Sequence, residues 1–156
     1  MTETITGAEF MDMMTGNAEL GKPKKKLVKR ETLLSQQVKT SLDKWSAEGR
    51  FKGVYFHVPN EIQPHKMTDN QAIKFWEHRK RMGIVSGAPD WCVSWHGGHC
   101  YIELKAPASE GKKAGQLSPN QKRFRKRCDD TGVIYTVCYD IGQVEMYLIM
   151  FGGLKA

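Results

Sequence analysis

Gly87-Ala88-Pro89-Asp90 leads into the β-prone run Trp91-Cys92-Val93-Ser94-Trp95, which reaches the pair Gly97-Gly98 and continues to Ile102-Glu103-Leu104-Lys105. A Gly-Gly pair between two such runs predicts a two-residue hairpin turn. With Gly97-Gly98 as that turn, Cys92 faces Glu103 and Asp90 faces Lys105. Side chains alternate along a strand and opposed residues share a face. Asp90, Cys92, Glu103 and Lys105 therefore fall on one side, and Trp91, Val93, Trp95, Cys100, Ile102 and Leu104 on the other. Sorting of the apolar set from the charged set is what a register specified by one buried face produces.

The charged face has the chemistry of a metal-assisted phosphodiesterase. Magnesium prefers oxygen ligands and commonly takes one or two carboxylates, with water and substrate phosphate completing its shell. Asp90 and Glu103 offer two carboxylates on neighbouring strands. Lys105 adds a compact positive charge able to orient a water or offset charge on the phosphorane. An ordinary cross-strand ion pair between Asp90 and Lys105 is the competing reading.

Composition frames this site. The chain has 156 residues, 40% hydrophobic and 26% charged, enough for one core and too few for two. No apolar run is long enough to span a bilayer, and the N-terminus lacks a signal-peptide pattern. Four cysteines without a disulfide-like framework fit a reducing compartment. A soluble, cytoplasmic protein is expected, with no membrane partner.

The net charge of +7 points to a polyanion. Residues 1–20 hold four acids and no Lys or Arg, whereas 21–30 hold six basic residues. This predicts a flexible acidic-then-basic tail over 1–30 ahead of a folded unit over 31–156. A second cluster, Lys112, Lys113, Lys122, Arg123, Arg125, Lys126 and Arg127, contains no acid between 111 and 127. It runs into a helix with Ser118 as N-cap, Pro119 in the first turn and Gln121 completing a capping box. Gln121, Phe124 and Cys128 share the face expected to pack on the sheet, leaving the cations towards solvent. There they would track a nucleic-acid backbone or simply solvate the helix. Arg79 and Lys80, within a helix predicted over 69–82, form a third basic patch.

His57-Val58-Pro59-Asn60-Glu61, Lys80-Arg81-Met82-Gly83 before Gly87-Ala88-Pro89-Asp90, Tyr101-Ile102-Glu103-Leu104-Lys105-Ala106-Pro107 and Leu117-Ser118-Pro119-Asn120-Gln121 occur in that order. Together they resemble the VRR-NUC branch of the PD-(D/E)XK nucleases over residues 31–150. The resemblance implies an α/β, restriction-endonuclease-like core: a small mixed β-sheet flanked by helices. It implies that Asp90, Glu103 and the main-chain carbonyl of Leu104 bind Mg2+ or Mn2+, that Lys105 is the catalytic lysine, and that Gln121 stands beside them. The family usually carries another acid at the start of its first helix. Alignment by Leu42 and Trp45 places Ser35 or a neighbour there, while the only acid available is Glu31. Glu31 lies near the stripe of Leu34, Val38, Ser41, Leu42 and Trp45, so it either reaches inward as a metal ligand or is a solvated first-turn acid.

The resulting expectation is a divalent-metal-dependent DNA endonuclease, acting on branched or structured DNA, of phage or bacterial origin. A homodimer is a further hypothesis from the resemblance. The alternatives are a nonenzymatic DNA-binding module with the same fold and an RNA nuclease, since nothing in the sequence reads a 2′-hydroxyl. His57 and Asn60 are candidate polar contacts in the cleft, with a structural role for His57 as the competing reading. Cys92, His96, His99 and Cys100 nominally offer zinc ligands, but the predicted hairpin separates the two cysteines onto opposite faces. The scaffold expected around the site is a first helix over 33–48, strands over 54–58 and 133–139, and a β-rich run over 144–151 that also reads as a short helix.

Overall fold

Period-two alternation and helical stripes of apolar residues build a single mixed sheet with helices on both sides. The computed structural model describes residues 30–59 and 68–156; the tail before Arg30 and the candidate contact Asn60 lie outside them. In chain order the elements are α1 (Arg30–Ala47), β1 (Gly53–His57), α2 (Asp69–Arg81), β2 (Trp91–Trp95), β3 (Gly98–Leu104), α3 (Pro119–Thr131), β4 (Ile134–Cys138) and α4 (Ile141–Met150). The strands lie in the order β1-β2-β3-β4. The first three are antiparallel, and β4 joins β3 in parallel after the crossover through α3.

The hairpin differs from its predicted register. Trp95 pairs with Gly98 and Trp91 with Ile102, so the two-residue turn is His96-Gly97 rather than Gly97-Gly98. Gly97 takes the turn's positive φ of 87°. Gly98 serves another purpose: a Cβ there would lie 2.9 Å from the Trp95 indole. Cys92 consequently faces Tyr101, not Glu103, and Asp90 comes level with Glu103, not Lys105. The partners differ by two residues, which preserves every side chain's face. Cys92 and Cys100 accordingly occupy opposite faces, as the hairpin argument requires.

Leu34, Val38, Leu42 and Trp45, at helical spacing along α1, are buried with Trp91, Val93, Cys100, Ile102 and Leu104 of the sheet and Val144 and Leu148 of α4. Each large apolar side chain so enclosed contributes about 1.5–3 kcal/mol relative to exposure. On the opposite face Phe124 of α3 packs edge-on against Tyr101, with ring centroids 5.5 Å apart, and beside Tyr135.

The β-rich reading of 144–151 is corrected: these residues belong largely to α4. Asp140 is the N-cap, accepting the Gln143 N–H at 2.8 Å, and Val144 and Leu148 form its buried stripe. A short run apolar on all sides carries no period to separate strand from helix. The cap decides it. The first helix already includes Arg30 and Glu31, ahead of the expected start at residue 33.

Candidate active site

Asp90 sits just before β2, where the β2–β3 ladder ends. Its carbonyl accepts the Val58 N–H at 2.7 Å, and its carboxylate accepts the Leu104 N–H at 2.7 Å. The side chain thus replaces a strand partner for β3, so its position follows from the ladder itself. Glu103, on the central strand, is 1% exposed. Lys105, two residues along the same face, holds its ammonium 2.7 Å from Glu103 Oε1.

Gln121 completes this arrangement from α3. Its Oε1 accepts the Ser118 N–H at 2.9 Å, closing the predicted capping box, while its Nε2 donates to Glu103 Oε1. Cap and site contact are carried by one amide. Glu103 Oε2, by contrast, is buried with no hydrogen-bond partner. A buried carboxylate oxygen left in that state costs at least about 1–3 kcal/mol unless a cation or donor meets it.

The far wall of the cleft is α1. Glu31 Oε1 accepts the Ala106 N–H at 3.3 Å, and Ser35 Oγ accepts the Trp91 indole N–H at 3.1 Å. Glu31 therefore reaches inward, and Ser35 braces the wall one turn further along. Glu31, Ser35, His57, Asp90, Glu103, Leu104, Lys105 and Gln121 all line one cavity of about 670 Å³. The His57 ring packs edge-on against Trp91 at 5.4 Å.

Electrostatics follow from burial. Glu103 is pushed up to about 7, first by desolvation and then by the Asp90 charge, with Lys105 pulling the other way. Asp90 is raised by burial, opposed by the Leu104 N–H and by Lys105 and His57. Two buried carboxylates that each disfavour ionisation are a pair a cation would stabilise. Among the described residues no three His, Cys, Asp or Glu side chains converge as a complete metal-ligand set. Asp90 and Glu103 could offer a hard cation two carboxylates, the number magnesium commonly takes with water completing its shell.

The other sequence candidates lie outside this cavity. Lys112, Lys113, Lys122, Arg123, Arg125 and Lys126 are exposed. Several are engaged within α3: Lys126 with Asp130 at 2.7 Å, Arg125 with Asp129 at 3.9 Å, and Arg123 with Asn120. Arg79 and Lys80 line a separate groove beside Gln121. Sequence reasoning overlooked Tyr135, whose buried hydroxyl has no partner and lies on the same sheet face as Glu103. Its parallel pairing with Tyr101 was the missing information.

No family model matches the sequence, and no curated protein matches it. A solved structure described as a VRR_NUC domain protein is similar with a TM-score of 0.50 and 23% identity, covering 78% of this chain and 90% of that one. The chain has the VRR_NUC fold. In this VRR_NUC-like arrangement the central strand presents Glu103 and Lys105, the residue ahead of β2 supplies Asp90, and the crossover helix supplies Gln121. No helix among the described residues is long and apolar enough to cross a membrane.

Proposed function

We propose that this chain is a divalent-metal-dependent nuclease that hydrolyses phosphodiester bonds in DNA. The observation that carries the reading is Glu103: a buried carboxylate with one oxygen held by Lys105 and Gln121 and the other unpartnered, level with Asp90 at the floor of an open cleft. The name of the structurally similar VRR_NUC domain protein supports the same class.

Asp90 and Glu103 would hold Mg2+ or Mn2+, with the Leu104 carbonyl as a further ligand by resemblance to VRR-NUC nucleases. Bound there, the ion supplies Lewis-acid activation of water and neutralises charge on the phosphorane and leaving oxygen. Lys105 positions the attacking water or a phosphate oxygen with its ammonium. Gln121 fixes the Glu103 carboxylate so that its free oxygen is presented to the ion. Glu31 adds a third negative charge at the mouth of the cleft, suited to a second ion or to an outer-shell water. Basic side chains of the 111–127 segment track the DNA backbone, and the substrate class extends to branched or structured DNA.

The test is nicking of supercoiled plasmid by the full chain in Mg2+ and Mn2+, beside Asp90→Asn and Lys105→Ala. Cleavage lost in both variants, with DNA affinity retained, is the expected result. Binding without cleavage in either metal by the wild-type chain overturns the enzymatic reading and leaves a DNA-binding module. Cleavage of RNA in preference to DNA overturns the substrate class.

A further inference from the structure

Helix α2 contains Ile73, Phe75 and Trp76, yet none of its residues is buried. The helix is nonetheless well specified. Thr68 and Gln71 form a reciprocal capping box, and the Arg79 guanidinium donates to the Pro59 carbonyl at 3.1 Å. Ala72, Ile73 and Trp76 face a groove of about 830 Å³ whose opposite wall is formed by the 84–88 loop and the start of α3. Trp76 is 38% exposed, Ile73 56% and Val85 44%. Phe75 backs the Trp76 ring edge-on at 5.4 Å, and the Arg79 guanidinium lies 5.8 Å from the Trp76 ring centroid.

The groove reaches Gln121, the residue whose amide holds Glu103, so it adjoins the cleft that holds the two carboxylates. Its rim is mixed in charge: Asp69 and Glu77 line it with Arg79 and Lys80, and Arg81 follows in the same last turn. A half-exposed indole, apolar walls and neighbouring cations are the surface on which single-stranded nucleic acid binds, its bases stacking on the ring and its phosphates meeting Lys or Arg. Paired bases in a duplex already stack on one another and offer no free face. We propose that this groove binds an unpaired nucleotide flanking the phosphate at the cleft, with its base stacked on Trp76 and its backbone met by Lys80. This rests on the nuclease reading for what occupies the adjoining cleft, and it adds a nucleobase subsite to it.

The experiment follows intrinsic tryptophan fluorescence of the full chain in EDTA during titration with a short single-stranded oligothymidylate, and with an abasic strand of equal length and charge. Trp45 and Trp91 are buried and Trp95 is partly buried against the core, so loss of the signal in Trp76→Leu is what assigns it to Trp76. The expected result is quenching by the thymidylate and not by the abasic strand. Trp76→Leu should lose the quench and weaken binding about 5- to 150-fold, the range that one stacked base supplies, with Trp76→Phe recovering part of the affinity. Because Trp76 lies outside the core, an unchanged melting temperature in both variants separates lost contact from lost fold. Equal quenching by the abasic strand, or unchanged affinity in Trp76→Leu, overturns the inference. Since no metal or cleavage enters this assay, base-dependent quenching by a chain that never cleaves would sink the nuclease reading and leave the subsite standing.

Discussion

Gln121 donates its side-chain N–H to Glu103 while the carbonyl end of the same amide caps the first turn of α3. Helix start and carboxylate orientation are thereby coupled through one side chain. A glutamate serves a capping box as well as a glutamine, but it cannot donate to a neighbouring carboxylate. Gln121→Glu should therefore keep the helix cap but lose about 1–3 kcal/mol of stability, because a donor to buried Glu103 is replaced by a second carboxylate, and under the proposed function cleavage at neutral pH should fall about 10- to 100-fold. Thermal denaturation and plasmid nicking check the two halves. Equal nicking by this variant would show that the donor is dispensable.

The pH dependence has a definite sign. Burial and the Asp90 charge lift Glu103 to about 7 from its ordinary 4.5, and Asp90 moves the same way. The folded metal-free chain thus keeps a proton that the unfolded chain releases. That contribution is complete below the ordinary carboxylate range and is lost as pH rises through about 7. Under the proposed function, metal binding at Asp90 and Glu103 would need the ionised carboxylates, so affinity should climb with pH by up to about tenfold per unit until Glu103 has titrated. Melting temperatures in EDTA should fall between about pH 5 and pH 7.5, while the increment from excess Mn2+ grows over the same range. An Mn2+ increment independent of pH would contradict metal ligation by these groups.

Gly87 joins the loop bearing Asp90 to α3. It has φ of 79°, and a Cβ there would lie 2.3 Å from the Asn120 carbonyl carbon. Left-handed backbone alone costs a residue with a side chain about 1–2 kcal/mol, and the contact is with backbone that cannot rotate away. Gly87→Ala should lower stability by at least that amount and displace Asp90 relative to Gln121. Denaturant titration measures the first effect, and weakened Mn2+ binding at a temperature where the variant is folded measures the second.

Tyr135 presents a buried hydroxyl without a partner, and burial pushes its ionisation far above the ordinary tyrosine value. Removing an unsatisfied group relieves its desolvation cost. Tyr135→Phe should leave stability unchanged or raise it by about 1 kcal/mol, read by chemical denaturation. A marked loss of stability would reveal that the hydroxyl is satisfied in solution.

Local alternation made much of this site legible. The faces of Asp90, Glu103 and Lys105 depend only on parity, which survived a turn placed one residue too late. Capping chemistry made Ser118 and Gln121 legible for the same reason: all its partners lie within one helical turn. The residues of α4 offered no such local contrast, because Val144, Met146, Tyr147, Leu148, Ile149 and Met150 spread apolar side chains around the whole helix. Tyr135 reaches the Glu103 face through a parallel pairing across the α3 crossover, and Glu31 reaches Ala106 from the other end of the chain. Helical period placed Glu31 near the buried stripe, but neither its partner Ala106 nor the Tyr101–Tyr135 pairing leaves a periodic trace in sequence.

Glu103 sits on a strand hydrogen-bonded along both edges, to β2 on one side and β4 on the other. Such a strand belongs to the portion of a protein that opens only when the whole structure does. Chaotrope should therefore abolish the proposed cleavage and cooperative folding at one midpoint, and amide exchange at Glu103 should be among the slowest in the molecule.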